Sequence, residues 1–166
     1  MSAFRIRHMV AEDAEAVSRL LKLSWTSTYG PLMGEARAAQ SSARIHRPEM
    51  LAAELGREGA VSFVAETTGP TIAGYAYAYR DGDVVDLDRL HVEPGHHGTG
   101  LAADLLHAVL AAFVGDRQIA LEVLEGNDRA IAFYAKHGFS VAERRGACGG
   151  IEGVPTLVMR RALGGA

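Results

Sequence analysis

The stretch Val92-Glu93-Pro94-Gly95-His96-His97-Gly98-Thr99-Gly100-Leu101-Ala102 decides how this chain is read. Before it, Leu87 to Val92 is an apolar run with the character of a strand. After it, Leu101, Leu105, Ala108, Val109 and Ala112 recur at helical spacing and predict a helix that buries one side. A strand therefore meets a helix across a glycine- and histidine-rich loop. Gly98 and Gly100 carry no side chains, so the main-chain N–H groups there can approach a ligand closely. The first amides of the helix lack intrahelical partners and sit at the positive end of its dipole. Together these features predict a seat for a phosphate-bearing ligand.

Three kinds of phosphate loop compete. A nucleoside-triphosphate loop needs Gly-Lys-Ser/Thr after its glycines, and Gly100-Leu101 offers no lysine. The dinucleotide fingerprint fits better, because Gly98-Thr99-Gly100-Leu101-Ala102-Ala103 matches glycine-x-glycine-x-x-alanine. Glu122 even stands about 20 residues on, at the end of an apolar strand, where a ribose-binding acid is expected. However, the loop from Val92 to Gly98 is long where the dinucleotide turn is tight. The residues from 123 to 166 are also too few for the second half of that fold.

The third kind rests on Ile119 to Phe139. Ile119-Ala120-Leu121-Glu122-Val123-Leu124 reads as a buried strand containing one carboxylate. Asn127 stands where a helix N-cap belongs, and Gly138 supplies a left-handed stop. Here the chain closely resembles the GCN5-related N-acetyltransferases. That superfamily has a pyrophosphate loop Arg/Gln-x-x-Gly-x-Gly/Ala, matched by His97-Gly98-Thr99-Gly100-Leu101-Ala102, with histidine in the first position. It also has a downstream Asn-x-x-Ala-x-x-x-Tyr-x-x-x-Gly-Phe helix, matched from Asn127 to Phe139. Ile6-Arg7, Glu12-Asp13-Ala14, Trp25 and Tyr29-Gly30-Pro31 are similar to the family's opening, so the resemblance spans nearly the whole chain.

Composition sets the surrounding limits. A length of 166 residues predicts one domain, residues 1–166, with a sound core. The 48% hydrophobic and 22% charged shares are those of an ordinary globular protein. A net charge of −3 gives no basic stripe for nucleic acid, and no apolar run reaches membrane-spanning length. Met1 to Val10 lacks a signal-peptide core, and the single cysteine, Cys148, suits a reducing compartment; a cytoplasmic location is expected. Neither a monomer nor a homodimer is excluded.

The predicted order begins with a strand at Phe4–His8, a helix at Glu12–Leu23 and one or two short helices within residues 31–57. A hairpin follows, Val61–Glu66 with Ile72–Arg80 across Thr68-Gly69-Pro70. The strand ending at Val92 comes next, then two further strands with helices, and Thr156–Arg161 closes the sheet. The fold class expected is α/β (α+β): a mixed, centrally parallel sheet with helices on both faces, antiparallel early.

The resemblance implies an acetyl-CoA-dependent N-acetyltransferase acting directly on a primary amine of a small molecule or peptide. Such an amine, with a pKa of about 10, arrives protonated, so a base, an oxyanion site and an acid for the thiolate are all needed. Glu122 is the candidate base, because a carboxylate in an apolar strand is costly unless partnered or useful, and its position matches the catalytic glutamate of ribosomal-protein N-terminal acetyltransferases. A structural acid held by backbone or by an arginine is the bland alternative, and Asp86, Asp88 and His91 are rival bases. Tyr134, two helical turns past Asn127, is the family's proton donor to the departing coenzyme A thiolate; otherwise it is a half-buried aromatic.

For the cofactor, the resemblance implies main-chain contacts to pantetheine from Leu90, His91 and Val92. It places the diphosphate on His97, Gly98, Thr99, Gly100, Leu101, Ala102 and Ala103, with a further contact from Asn127. His97 is a weaker phosphate partner than the usual arginine or glutamine. His91, His96 and His97 lack the convergent partners of a metal site, so no metal is expected. Trp25 and Tyr29, at i and i+4, either line the acceptor mouth or pack into the core. The acids Asp81, Asp83, Asp86 and Asp88 either attract a cationic amine or form a solvated turn and strand edge. Polyamine acetyltransferases also resemble the layout. A non-catalytic acyl-coenzyme-A-binding sensor is the competing class.

Overall fold

A computed structural model describes residues 3–69, 71–146 and 153–164. Seven strands are hydrogen-bonded in the order β1-β2-β3-β4-β5-β7-β6. They are β1 (Phe4–His8), β2 (Ala60–Thr67), β3 (Ile72–Asp81), β4 (Val84–Val92), β5 (Gln118–Leu124), β6 (Ser140–Arg145) and β7 (Thr156–Ala162). Five helices accompany them: α1 (Ala14–Met33), α2 (Glu35–Ile45), α3 (Pro48–Glu54), α4 (Leu101–Ala112) and α5 (Asp128–Lys136). The sheet is mixed and mostly antiparallel. Parallel pairing joins β4 to β5 at Val85↔Ile119 and Asp86↔Ala120, which is where the parallel centre expected from sequence lies.

By its contacts the chain divides into two compact units: Met1–Tyr79 with Arg89–Ala112, and Arg80–Asp88 with Phe113–Ala166. In the first, Val64 pairs with Tyr75, and both bury against Val17, Leu20 and Leu21 of α1 and Leu51 of α3. The next register pair, Ala65↔Gly74, faces the opposite way, toward Leu105 of α4. A β-carbon at Gly74 would stand 2.8 Å from Leu105 Cδ1, so the missing side chain is what lets this helix seat so closely. The start of α1 is tied down by a fork: Arg7 donates to both carboxylate oxygens of Asp13 at 2.8 and 2.9 Å. That guanidinium also reaches Glu66, and it holds the Asp13 carboxyl below the usual carboxylate range.

Two local expectations fail for physical reasons. The helix expected to stop at Leu23 runs through Pro31 to Met33 and ends at Gly34, whose φ is +92° and whose N–H donates to Gly30 O. Proline near the end of a helix forfeits only one ladder bond there, while Trp25 and Gly30 are buried and hold the last turns. In α4, Leu106 is buried, whereas Ala112, expected inside, is exposed.

In the second unit β5 alternates: Ile119, Leu121 and Val123 are buried, while Ala120 and Glu122 are only half-buried. It is thus a half-covered strand and not one buried on both faces. β7 pairs antiparallel with β5 (Glu122↔Val158) and with β6 (Ser140↔Arg160). The hairpin residue Pro70 and the thiol of Cys148 lie outside the described residues.

Candidate active site

In the first unit the decisive stretch folds as its glycines require. A short 3₁₀ turn, Pro94–His96, precedes Gly98 at φ +80° and Gly100 at φ +86°. A β-carbon at either glycine would meet nothing within 4 Å. The need for glycine is therefore one of backbone conformation, with open space in front of both residues. Asp104 N donates to Gly100 O at 3.1 Å and begins the helical ladder, so the amides just before it have no partner within α4. Thr99 Oγ1 donates to His96 O at 2.6 Å and braces the loop. Gly98, Thr99 and Gly100 are exposed, Leu101 is buried, and Ala102 and Ala103 lie between. His97 folds back so that Nε2 lies 3.2 Å from Val92 O. As the Nε2–H tautomer it donates to that carbonyl, which braces the loop against the end of β4.

Leu90, His91 and Val92 occupy the last positions of β4. The His91 side chain turns toward the helices: Nδ1 lies 3.0 Å from Ser24 Oγ of α1. Trp25 stacks edge-on against Tyr29 at 4.4 Å and against His46 at 5.2 Å, and His46 Nδ1 lies 2.8 Å from Ser42 Oγ. Trp25 is 7% exposed, so of its two expected roles the structure gives it the packed one. Burial, reinforced by the Arg89 guanidinium, pushes His91 down to about 4; burial, then His91, then Arg89 push His46 down to about 3. Both rings are neutral at pH 7. Arg89 is itself forked onto Glu54 at 2.6 and 3.2 Å.

In the second unit Asn127 caps α5, its side-chain oxygen accepting from Ala130 N at 3.4 Å. Gly138, at φ +89°, ends the helix as expected. Tyr134 is half-buried, its ring edge-on to Phe133 at 5.2 Å and to Phe139 at 5.5 Å. This brackets the phenol with two aromatic neighbours.

Glu122 is not a bare carboxylate. Arg145 Nη1 donates to its Oε1, and Thr156 Oγ1 lies 3.5 Å from Oε2. Its side chain is 29% exposed and opens onto a hollow of about 300 Å³ that Asp86 also lines. Of the rival bases, the structure brings Asp86 to the hollow of Glu122. Asp88 is exposed, and His91 belongs to the Trp25 cluster.

Arg145 carried no signal in the sequence, because its partner stands on β5 and the pairing runs through β7 by sheet register. Ser24 and Ser42, lone polar residues on helices, and His46, just past the end of α2, were equally silent. Among the described residues no group of three or more His, Cys, Asp or Glu is placed to hold a metal ion. No described helix is long and apolar enough to cross a membrane.

The profile of the Acetyltransferase (GNAT) family matches residues 15–139, and the chain belongs to that family. Over 73 residues the chain is 47% identical to uncharacterized N-acetyltransferases of Mycobacterium bovis and Mycobacterium tuberculosis. That match covers 42% of this chain and 47% of each relative, so the chain spans about half the length of these curated relatives.

Solved structures share the fold over almost the full length. The PaiA N-acetyltransferase of Thermoplasma acidophilum, in complex with coenzyme A, superposes with a TM-score of 0.85 at 22% identity, covering 98% of this chain and 99% of its own. The ribosomal-protein-S18-alanine N-acetyltransferase of Escherichia coli gives a TM-score of 0.74 at 20% identity, covering 98% and 96%.

Proposed function

We propose that this chain, as one domain over residues 1–166, is an acetyl-CoA-dependent N-acetyltransferase that moves an acetyl group directly to a primary amine, working in the cytoplasm. The observation that carries the reading is the open main-chain cradle at residues 97–103, where two positive-φ glycines precede the start of α4. A diphosphate suits such a cradle, because unpaired amides and the helix dipole both favour anionic oxygen. The PaiA relative, solved with coenzyme A, supports the choice of ligand. Leu90, His91 and Val92 would hold the pantetheine arm by main-chain groups, and Asn127 would add a side-chain contact. When bound, acetyl-CoA supplies the activated acyl group and a thiolate leaving group.

The remaining work falls to side chains. Glu122 accepts the proton that the ammonium must lose, directly or through water in the hollow it shares with Asp86. Arg145 keeps that carboxylate oriented between turnovers. The Tyr134 hydroxyl donates a proton to the departing sulfur. A thiol-release assay across amines, paired with calorimetry on coenzyme A, tests the reading; binding without release for any acceptor defeats it. The competing sensor reading draws on one observation, the ion-paired state of Glu122, and Glu122→Gln separates the two. An enzyme loses most of its turnover while a sensor keeps its only measurable property.

A further inference from the structure

Two neighbouring hollows lie on the second unit, and one side chain lines both. The first, of about 300 Å³, is walled by Asp81, Asp86, Glu122, Arg145 and Arg160; the second, of about 540 Å³, by Asp83, Arg117, Ser140, Arg160 and Arg161. Their charges differ in sign. Three carboxylates face two guanidinium groups in the first, and one carboxylate faces three guanidinium groups in the second.

Sheet register explains how this arises. Asp86 pairs with Ala120, Ala120 with Arg160, and Arg160 with Ser140, so these four side chains stand in a row on one face. Glu122, two residues beyond Ala120, points to the same face and is a diagonal neighbour of Arg160, at about 7–8 Å between backbones.

Several of the charges in this region are already engaged. Glu122 is taken by Arg145, and Arg161 donates to His137 O at 3.1 Å. Arg160 is exposed and makes no ion pair among the described residues. A guanidinium offers a planar fork of donors suited to a carboxylate, and this one stands between an acidic recess and a basic one.

From this arrangement, and resting on the acetyltransferase reading above, we infer that the acceptor is a zwitterion: an amine that also carries a carboxylate several bonds away. Its ammonium lies in the recess of Asp81, Asp86 and Glu122, and its carboxylate lies on Arg160. A polyamine is the wrong partner, because its second ammonium would face Arg160, Arg117 and Arg161. Arg160 is then the residue that sets specificity.

Kinetics with three matched acceptors tests this: 6-aminohexanoate, 1,6-diaminohexane and hexylamine. The C-terminally amidated dipeptides Ala-Glu-NH2 and Ala-Lys-NH2, in which the side chain alone supplies the second charge, form a second arm that distinguishes a peptide source from a free amino acid. The wild type is expected to favour each carboxylate-bearing acceptor over its cationic match by about tenfold or more in kcat/KM, by charge complementarity. Arg160→Gln is expected to raise KM for the carboxylate acceptors about tenfold without weakening coenzyme A. Arg160→Glu is expected to turn the preference toward the diamine, and Arg160→Lys to restore part of the original.

Calorimetric binding of 6-aminohexanoate to the coenzyme A complex, wild type against Arg160→Gln, gives a readout that needs no turnover. Equal or stronger use of the diamine by the wild type, or carboxylate binding that ignores Arg160, overturns the inference while leaving the acetyltransferase reading intact. Absence of thiol release from every amine would instead remove the reading on which the inference stands.

Discussion

The loop in the first unit and the sheet face in the second handle charge in opposite ways. Around residues 97–103 the groups on offer are main-chain amides, and in the same unit the imidazoles of His46 and His91 are kept neutral chiefly by burial, with Arg89 adding to it. On the face of β4, β5, β7 and β6 the groups on offer are charged side chains, among them Glu122 held by Arg145 and Arg160 standing exposed. Main-chain recognition depends on φ and ψ, so most side chains in the loop are free to vary as long as the glycines remain. Side-chain recognition depends on identity at each position, so a single substitution can change what is recognised.

The sharpest test of this contrast removes one oxygen atom from the second unit. Tyr134→Phe is expected to lower turnover by about 10²- to 10⁴-fold, the usual worth of a positioned proton donor. Its affinity for coenzyme A should stay within a factor of two. A small loss in the thiol-release assay would place the proton donor elsewhere.

Next in size is a purely structural effect in the first unit. Gly74→Ala drives a methyl group into Leu105 Cδ1, and overpacking of this kind costs about 1–3 kcal/mol. A melting temperature unchanged from wild type would mean that α4 can lift off β3 freely.

Gly100→Val asks a β-branched residue to adopt φ +86°, at a cost of about 1–2 kcal/mol. Coenzyme A affinity should fall about tenfold, since that is the factor for each 1.4 kcal/mol. Thr99→Ala, which removes only a brace, should matter less. If the two variants bind equally well, the cradle does not work through its backbone conformation.

The smallest expected effect is in the pH profile. His46 and His91 have folded-state pKa values below the ordinary histidine value, so the unfolded chain binds protons that the folded chain refuses. Their contribution to stability is complete above about pH 6.5 and is lost as pH falls toward 4 and then 3. Denaturation midpoints measured from pH 7 to pH 4 should fall, and His46→Gln should flatten the slope. An unchanged slope in that variant would assign the acid sensitivity to other groups.

Local pattern made much of this protein legible. The Gly98–Gly100 pair, the Asn127 cap and the Gly138 stop are set by residues a few positions apart, where turn chemistry and helix spacing speak directly. Trp25 and Tyr29 were readable as one helix face because they are one turn apart. Glu122 was readable as an anomaly, a charge in an apolar strand, but not as half of a pair. Arg145 reaches it only because β6 pairs with β7 and β7 with β5. The parallel pairing of β4 with β5, the run of α1 through Pro31 and the seat of Leu105 on Gly74 likewise depend on neighbours distant in the chain.

By itself, then, the sequence determined the left-handed glycine pair ahead of α4, the position of a phenol on a capped helix, and the family to which the chain belongs. Only the tertiary structure decided which charges meet: Glu122 with Arg145, Arg89 with Glu54, and Arg160 left facing two hollows of opposite sign. The reason is physical. Dihedral preference and helical periodicity are local properties written in adjacent residues, whereas ion pairing acts through space and is set by strand register, which no short stretch of sequence contains.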